Sequence, residues 1–245
     1  MIFLELVPRD LNTLISDSKQ YLAQYTAITG INIPDIKRLE NRSFTAVEKM
    51  LENDITAMPH IRTQDFSLDE HLKIVSALYD KGLRHILLVS GDPSNDPLQK
   101  TYKVTPMELT KELKKVFREL KVYCGIDPYR QTMQREVAYA LQKLEAGADG
   151  LFTQPFFDLN LAEGYLKQLS VTQLFMGVSP VITEKNKSYW VNVNHVVFPE
   201  VFEYTLHYNA TFAKELIQLT QSYKQHNYLM PIKIDIQDYL DQVFR

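Results

Sequence analysis

The chain has 245 residues, of which 45% are hydrophobic, and a formal net charge of −3 at pH 7. This length and apolar content are enough for one large α/β core or two small ones. The near-neutral charge argues against nucleic acid as a partner, because phosphate binding needs a clustered basic surface. The single cysteine, Cys124, excludes an internal disulfide and a metal site built from several cysteines, and no metal site is predicted.

The first ten residues, MIFLELVPRD, do not resemble a targeting segment. Their apolar run is too short for a signal peptide and contains Glu5. No apolar run elsewhere reaches the length that a membrane-spanning helix needs. We therefore expect a cytoplasmic protein that does not bind membranes, and the sequence leaves open whether it forms a homo-oligomer.

Short apolar runs alternate with amphipathic segments along the whole chain. The runs predict strands at 2–7, 26–33, 55–61, 84–89, 121–126, 149–154, 173–178 and 228–234. Apolar residues spaced i, i+3 and i+4 predict helices at 11–24, 67–82, 106–121, 134–147 and 211–225. Residues 183–208 show no clear strand pattern, and we interpret them as an extended connection.

Local signals support the helix boundaries. Ser67 and Glu70 have the spacing of a capping box, and Gly82 and Gly147 lie where helix C-caps belong. Strands that alternate with single helices pair in parallel through right-handed crossovers. Eight such units favour one α/β domain over residues 1–245, a (β/α)8 barrel of the TIM type, with a doubly wound open sheet as the alternative.

In a (β/α)8 barrel the active site lies at the carboxyl ends of the strands. The predicted strand ends carry carboxylates, a histidine, amides and aromatic rings: Glu5, Thr29, Asn32, His60, Ser90, Gly91, Asp92, Tyr123, Asp127, Gln154, Trp190, Lys233 and Asp235. Glu5 is the strongest single candidate, because a carboxylate buried in an apolar strand needs a partner or takes a raised pKa. Taken alone, His60 is more typical of a core residue, and Asp92 and Gln154 are equally compatible with a structural role.

Five segments of the chain resemble successive motifs of the methylenetetrahydrofolate reductase family. In order, they are FLELVPR (3–9), AMPHIRTQD (57–65), HILLVSGDP (85–93), EAGADGLFTQPFFD (145–158) and MGVSPV (176–181). Each motif alone is weak, but five at compatible spacing over nearly the whole chain are specific. The family fold is a (β/α)8 barrel, which agrees with the periodicity.

The resemblance implies an oxidoreductase with FAD as its cofactor and NADH or NADPH as its co-substrate. In the family, hydride passes through the flavin to the methylene carbon of 5,10-methylenetetrahydrofolate. Glu5 matches the general acid that protonates the leaving nitrogen when the folate imidazolidine ring opens. Asp92 matches the aspartate that lies between flavin and pterin, and Gln154 matches the amide that binds the pterin edge.

The remaining correspondences are looser. Asn186 and Trp190 fall where the family has a polar pterin contact and a stacking aromatic ring. The implied flavin contacts are Thr29, His60, Ser90, Gly91, Tyr102, Tyr123 and Lys143.

The chain departs from the family pattern around the part of FAD that carries the diphosphate. Ser90 and Gln142 each stand where the family commonly has arginine, Asp127 stands in place of a histidine, and Tyr139 in place of an asparagine. Fewer basic groups should weaken diphosphate binding, so FAD is expected to be loosely bound, replaced by a smaller flavin, or absent. Two other functions stay open: a pterin- or folate-dependent methyl-transfer enzyme, and a non-catalytic folate- or flavin-binding module.

Overall fold

A computed structural model describes residues 1–91, 100–169 and 173–245. Its strands are β1 (Ile2–Glu5), β2 (Ile28–Ile33), β3 (Ala57–Arg62), β4 (His85–Val89), β5 (Lys121–Ile126), β6 (Gly150–Pro155), β7 (Gln173–Val178) and β8 (His226–Leu229). Its helices are α1 (Leu11–Gln24), α2 (Ser43–Leu51), α3 (Leu68–Asp80), α4 (Pro106–Val116), α5 (Met133–Glu145), α6 (Leu159–Gln168), α7 (Glu184–Asn194), α8 (Leu206–Ser222) and α9 (Ile236–Phe244).

The strands close into a barrel in chain order. Each strand pairs in parallel with its sequence neighbours, and β8 pairs with β1 to complete the circle. The predicted TIM-type (β/α)8 fold is therefore confirmed, and the open-sheet alternative is wrong.

The predicted boundaries of the last strand were wrong. β8 spans His226–Leu229 instead of 228–234, because Pro231 has no backbone N–H for a sheet and Lys233 has a left-handed φ of 58°. Lys233 and Asp235 consequently do not end a strand. Asp235 instead caps α9, where its side chain accepts a hydrogen bond from the backbone N–H of Asp238.

Helix α1 matches its prediction at both ends, and the capping box of Ser67 and Glu70 is present at the start of α3. Gly82 and Gly147 follow α3 and α5 with φ values of 101° and 106°, as C-cap glycines do. The connection predicted over 183–208 contains α7. This helix was missed because Trp190 is its single buried residue, so it shows little apolar periodicity.

Large side chains fill the interior of the barrel. Eight buried residues from inward-facing strand positions form this inner cluster: Phe3, Met58, Leu87, Tyr123, Phe152, Phe175, Tyr228 and Met230. Phe152 and Phe175 stack with their ring centroids 4.1 Å apart, and Phe3 packs edge-on against both. The barrel is thus a packed core, and its upper layer is the floor of any site at the carboxyl ends of the strands.

None of the helices in the described ranges is both long and apolar enough to cross a membrane. The predicted cytoplasmic location and the oligomeric state stay predictions.

Candidate active site

A cavity of about 600 Å³ opens at the carboxyl ends of the strands. This volume is in the range of small-molecule sites. Seven of the residues predicted from the sequence line it: Glu5, His60, Ser90, Gly91, Lys143, Gln154 and Trp190. Asp92, the second predicted catalytic residue, lies outside the described residues.

Glu5 is the last residue of β1 and lies in the cavity floor with 9% of its surface exposed. The hydroxyl of Tyr228 on β8 donates a hydrogen bond to its Oε2. Burial raises the pKa of Glu5 to about 7, although the bond from Tyr228 acts in the opposite direction. The carboxyl group is therefore protonated in about half of the molecules at neutral pH, as a proton donor requires.

His60 on β3 completes a short chain of polar groups in the floor. Its Nε2 lies 3.3 Å from the hydroxyl oxygen of Tyr228. Burial lowers the pKa of His60 to about 3, so the ring is neutral. When Tyr228 donates to ionised Glu5, His60 can donate its Nε2–H to the tyrosine oxygen, and when Glu5 is protonated both bonds can reverse if His60 carries its proton on Nδ1 instead.

Asn32 lies beside this chain of polar groups. It pairs in register with Glu5 and is fully buried near the carboxyl end of β2. Its amide interacts with the hydroxyl of Tyr228, and it does not line the cavity. Asn32 therefore belongs to the polar group around Glu5 and Tyr228, a role that the sequence did not assign to it.

Gln154 is exposed to the cavity near the end of β6. No hydrogen bond within the described residues engages its amide, whereas the neighbouring Thr153 accepts one from the backbone N–H of Gly177 at 2.8 Å. The structure thus gives no support to a capping role for Gln154, and its donor and acceptor are available to a ligand.

Helix α7 brings Trp190, but not Asn186, to the cavity. Trp190 is 8% exposed and packs edge-on against Phe157, with ring centroids 5.5 Å apart. Asn186, one turn earlier, is absent from the lining, and Asn194 in the last turn lines the cavity instead. The pterin contact of Asn186 stays a prediction, and in this structure its side chain is not part of the cavity lining.

Three predicted flavin contacts also lie elsewhere. Thr29 is near the amino end of β2, where its hydroxyl bonds to the backbone of Ile2. Tyr123 belongs to the inner cluster, and its ring stacks on His85 at the start of β4. Tyr102 packs partly buried against the outer core and does not line the cavity. None of these three side chains lines the cavity, and their assignment as flavin contacts stays a prediction.

The side of the cavity formed by β5 and α5 carries three ionisable residues, Asp127, Arg130 and Lys143. Lys143 is 2% exposed, and its Nζ donates to the backbone oxygen of Gly125 at 2.6 Å. Burial lowers the pKa of Lys143 to about 8 and raises the pKa of Asp127. Arg130 lines the same side and was not predicted, because nothing in its local sequence distinguishes it from a surface arginine.

Tyr228 was missed for a related reason. The strand predicted at 228–234 begins at this residue. A tyrosine in an apolar strand usually contributes to packing, so its sequence context gave no sign of a role in the site. Its contact with Glu5 joins residues that are 223 positions apart in the sequence.

Comparison with known structures shows the same architecture in proteins of low sequence identity. The chain superposes on a protein described as a deoxyribose-phosphate aldolase from Toxoplasma gondii with a TM-score of 0.61 and 11% identity, covering 99% of this chain and 92% of that one. It superposes on 2,3-dimethylmalate lyase with a TM-score of 0.60 and 10% identity, covering 98% and 77%. These likenesses show the fold alone.

Sequence comparison identifies relatives. A 5,10-methylenetetrahydrofolate reductase of Buchnera aphidicola is 24% identical over 167 residues, which are 65% of this chain and 56% of the relative. The Escherichia coli protein of the same name is 26% identical over 153 residues, or 59% and 51%. The matched part of this chain thus spans about half the length of these curated relatives. The model of the family described as methylenetetrahydrofolate reductase matches residues 14–224. The chain therefore belongs to the methylenetetrahydrofolate reductase family.

Proposed function

We propose that this protein reduces 5,10-methylenetetrahydrofolate by transfer of hydride from NADH or NADPH with the help of a flavin, FAD or a smaller one. The observation that carries the proposal is Glu5, a buried carboxyl group with a pKa of about 7 in the floor of a ligand-sized cavity. Family membership and the names of the relatives support the same reaction.

The residues that line the cavity fit a flat heterocycle. Leu87, Phe152 and Met230 form an apolar floor, and His60 and Lys143 add polar atoms at its edges. These two residues and the Ser90–Gly91 segment would hold a flavin ring. A bound flavin would supply the redox chemistry, by accepting hydride from the nicotinamide and passing it to the folate.

Glu5 would act on the folate itself. Opening of the imidazolidine ring breaks a carbon–nitrogen bond and leaves an iminium at the methylene carbon, and the departing nitrogen needs a proton. Glu5 can donate that proton near neutral pH. After the proton has left, Tyr228 can donate a hydrogen bond to the Glu5 carboxylate, and His60 lies within hydrogen-bond reach of the tyrosine oxygen.

Gln154 and Trp190 would position the pterin. The amide of Gln154 offers both a donor and an acceptor to the mixed edge of a pterin ring. Trp190 presents part of an indole ring to the same cavity, where it can pack against the heterocycle.

The test is to denature the purified protein, identify any released flavin, and measure folate-dependent oxidation of NADH and NADPH. We expect a flavin and turnover that requires methylenetetrahydrofolate. Tight folate binding without turnover under any of these conditions would contradict the proposal and favour a non-catalytic binding module.

A further inference from the structure

We propose that Arg130 is the residue that binds the phosphate of a nucleotide in this cavity, and that it makes the protein prefer phosphorylated over phosphate-free ligands. The inference rests on the proposed function, because a flavin nucleotide and a nicotinamide dinucleotide are the two phosphate-bearing ligands of that reaction.

The position of Arg130 makes it available to a ligand. It lies in the turn between β5 and α5 and lines the cavity together with Asp127 and Lys143. Its side chain is 44% exposed, in contrast to the almost completely buried Lys143. Among these three residues, Arg130 thus combines a permanent positive charge with open access to the cavity.

Glu136 holds the arginine while leaving most of its donors unused. Both bonds to the Glu136 carboxylate come from a single nitrogen, Nη2, at 2.9 and 2.7 Å. The Nε–H and the two Nη1–H groups have no hydrogen-bond partner within the described ranges. A guanidinium carries five N–H donors in a rigid plane, and the Nε–H points to the Nη2 side, away from Nη1, so a phosphate can still accept a charge-assisted bond from Nη1.

Glu136 is itself fixed in place. Its side chain is fully buried and also accepts hydrogen bonds from the backbone N–H of Asp127 and from Gln131. The guanidinium carbon of Arg130 lies 4.9 Å from the centre of the Tyr139 ring. Two anchors, one ionic and one aromatic, therefore fix the plane of the guanidinium before a ligand binds, which reduces the entropy lost on binding.

A second cation makes the surroundings of Arg130 favourable to an anion. Lys143 Nζ lies 4.0 Å from the centre of the same Tyr139 ring, so two cations border one aromatic side chain. Burial is the main reason that the pKa of Lys143 is lowered to about 8, and the charge of Arg130 contributes. A phosphate near both groups would relieve their mutual repulsion.

The experiment compares ligands that differ by a phosphate. The protein freed of bound ligand is titrated with flavin mononucleotide and with riboflavin by flavin fluorescence, and separately with NADH. We expect the unmodified protein to bind one phosphorylated ligand tightly. In Arg130→Gln that affinity should fall about 10- to 100-fold, with riboflavin binding nearly unchanged.

The matched control is Arg135→Gln, which removes the same charge from an exposed position on α5 outside the cavity lining. It should leave all three affinities unchanged. Loss confined to flavin mononucleotide in Arg130→Gln assigns the phosphate to the flavin, and loss confined to NADH assigns it to the nicotinamide dinucleotide. Either result supports the proposal.

The proposal would be overturned if the unmodified protein bound flavin mononucleotide and riboflavin equally well and Arg130→Gln did not change the binding of NADH. If Arg130→Gln fails to fold, Arg130→Met removes the charge and keeps a long aliphatic side chain. An unchanged affinity for every phosphorylated ligand in Arg130→Met would then overturn the proposal. These are binding measurements without folate, so they separate this inference from a failure of folate reduction.

Discussion

The two sides of the cavity differ in the elements that hold their functional groups. Glu5, His60 and Tyr228 lie on strands, are almost completely buried, and contact one another through hydrogen bonds. Asp127 and Arg130 lie in a turn, carry formal charges, and are balanced by neighbouring charged or backbone groups. The register of the barrel strands positions the groups on the strand side, and their protonation changes with pH. Residues on the turn side can be substituted without altering the barrel.

The largest expected effect comes from removing the proton donor on the strand side. Glu5→Gln keeps the size of the side chain but cannot donate a carboxyl proton. We expect folate reduction to fall by roughly 10²- to 10⁴-fold, with much less change in reduction of the bound flavin by nicotinamide. Stopped-flow measurement of both half-reactions checks this.

Glu145→Gln is the matched control, since Glu145 is exposed at the end of α5 and does not line the cavity. An equal fall in both half-reactions of Glu5→Gln would indicate a structural role for Glu5.

Gln154→Glu should produce the next largest effect. The change removes the amide donor and adds a negative charge while keeping the length of the side chain. Loss of a buried hydrogen bond costs about 1–3 kcal/mol, so kcat/KM for folate should fall roughly 5- to 150-fold. Steady-state kinetics measures this, and the melting temperature should barely change because the amide has no partner in the fold.

Gln218→Glu makes the same chemical change at an exposed glutamine on α8 outside the lining, and it should leave kcat/KM unaltered. A lower melting temperature for Gln154→Glu with unaltered kinetics would instead identify a residue that stabilises the loop.

The buried acid on the strand side should change the stability of the protein with pH in a characteristic direction. The pKa of Glu5 is 4.5 when unperturbed and about 7 in the fold, so the folded protein retains a proton that the unfolded chain releases. The contribution of Glu5 to the free energy of unfolding should therefore decrease as pH rises from 4.5 to 7, by up to about 3 kcal/mol, and it is measured as the difference between the unmodified protein and Glu5→Gln.

Chemical denaturation at pH 5, 6, 7 and 8 measures this, and Glu5→Gln should lack the decrease. His60 acts in the opposite sense, because its lowered pKa costs stability as pH falls below 6.5. Identical pH profiles for the unmodified protein and Glu5→Gln would show that Glu5 titrates normally.

The smallest expected effect belongs to the turn side. Asp127→Asn removes a negative charge from the cavity but keeps the oxygen that accepts the backbone N–H of Tyr129. Reduced repulsion should tighten binding of a phosphorylated ligand about threefold to tenfold, and the gain should shrink in high salt. Fluorescence titration at two salt concentrations measures it, with Asp80→Asn on the exposed end of α3 as the control. Weaker binding in Asp127→Asn would mean that Asp127 itself contacts the ligand.

Much of the candidate site was predictable because its signals are local. Glu5 interrupts an apolar strand, and Gln154 ends another, so both were recognisable from a few neighbouring residues. Thr29 lies near the amino end of β2 and Tyr123 lies in the inner cluster, because the sequence does not fix where a strand begins or which of its faces points inward. Helix α7 was missed because its burial comes from a single tryptophan.

The sequence by itself determined the alternation of strands and helices, the helix caps, the family and the presence of a buried acid, because each depends on spacing over a short stretch or on a motif. Only the tertiary structure decided which groups surround that acid. Closure of β8 against β1 brings Tyr228 to Glu5, and the register between β1 and β2 places Asn32 beside it. The turn after β5 brings Arg130 to the same cavity. The physical reason is that register and closure join residues far apart in the chain, and local periodicity carries no information about those pairings.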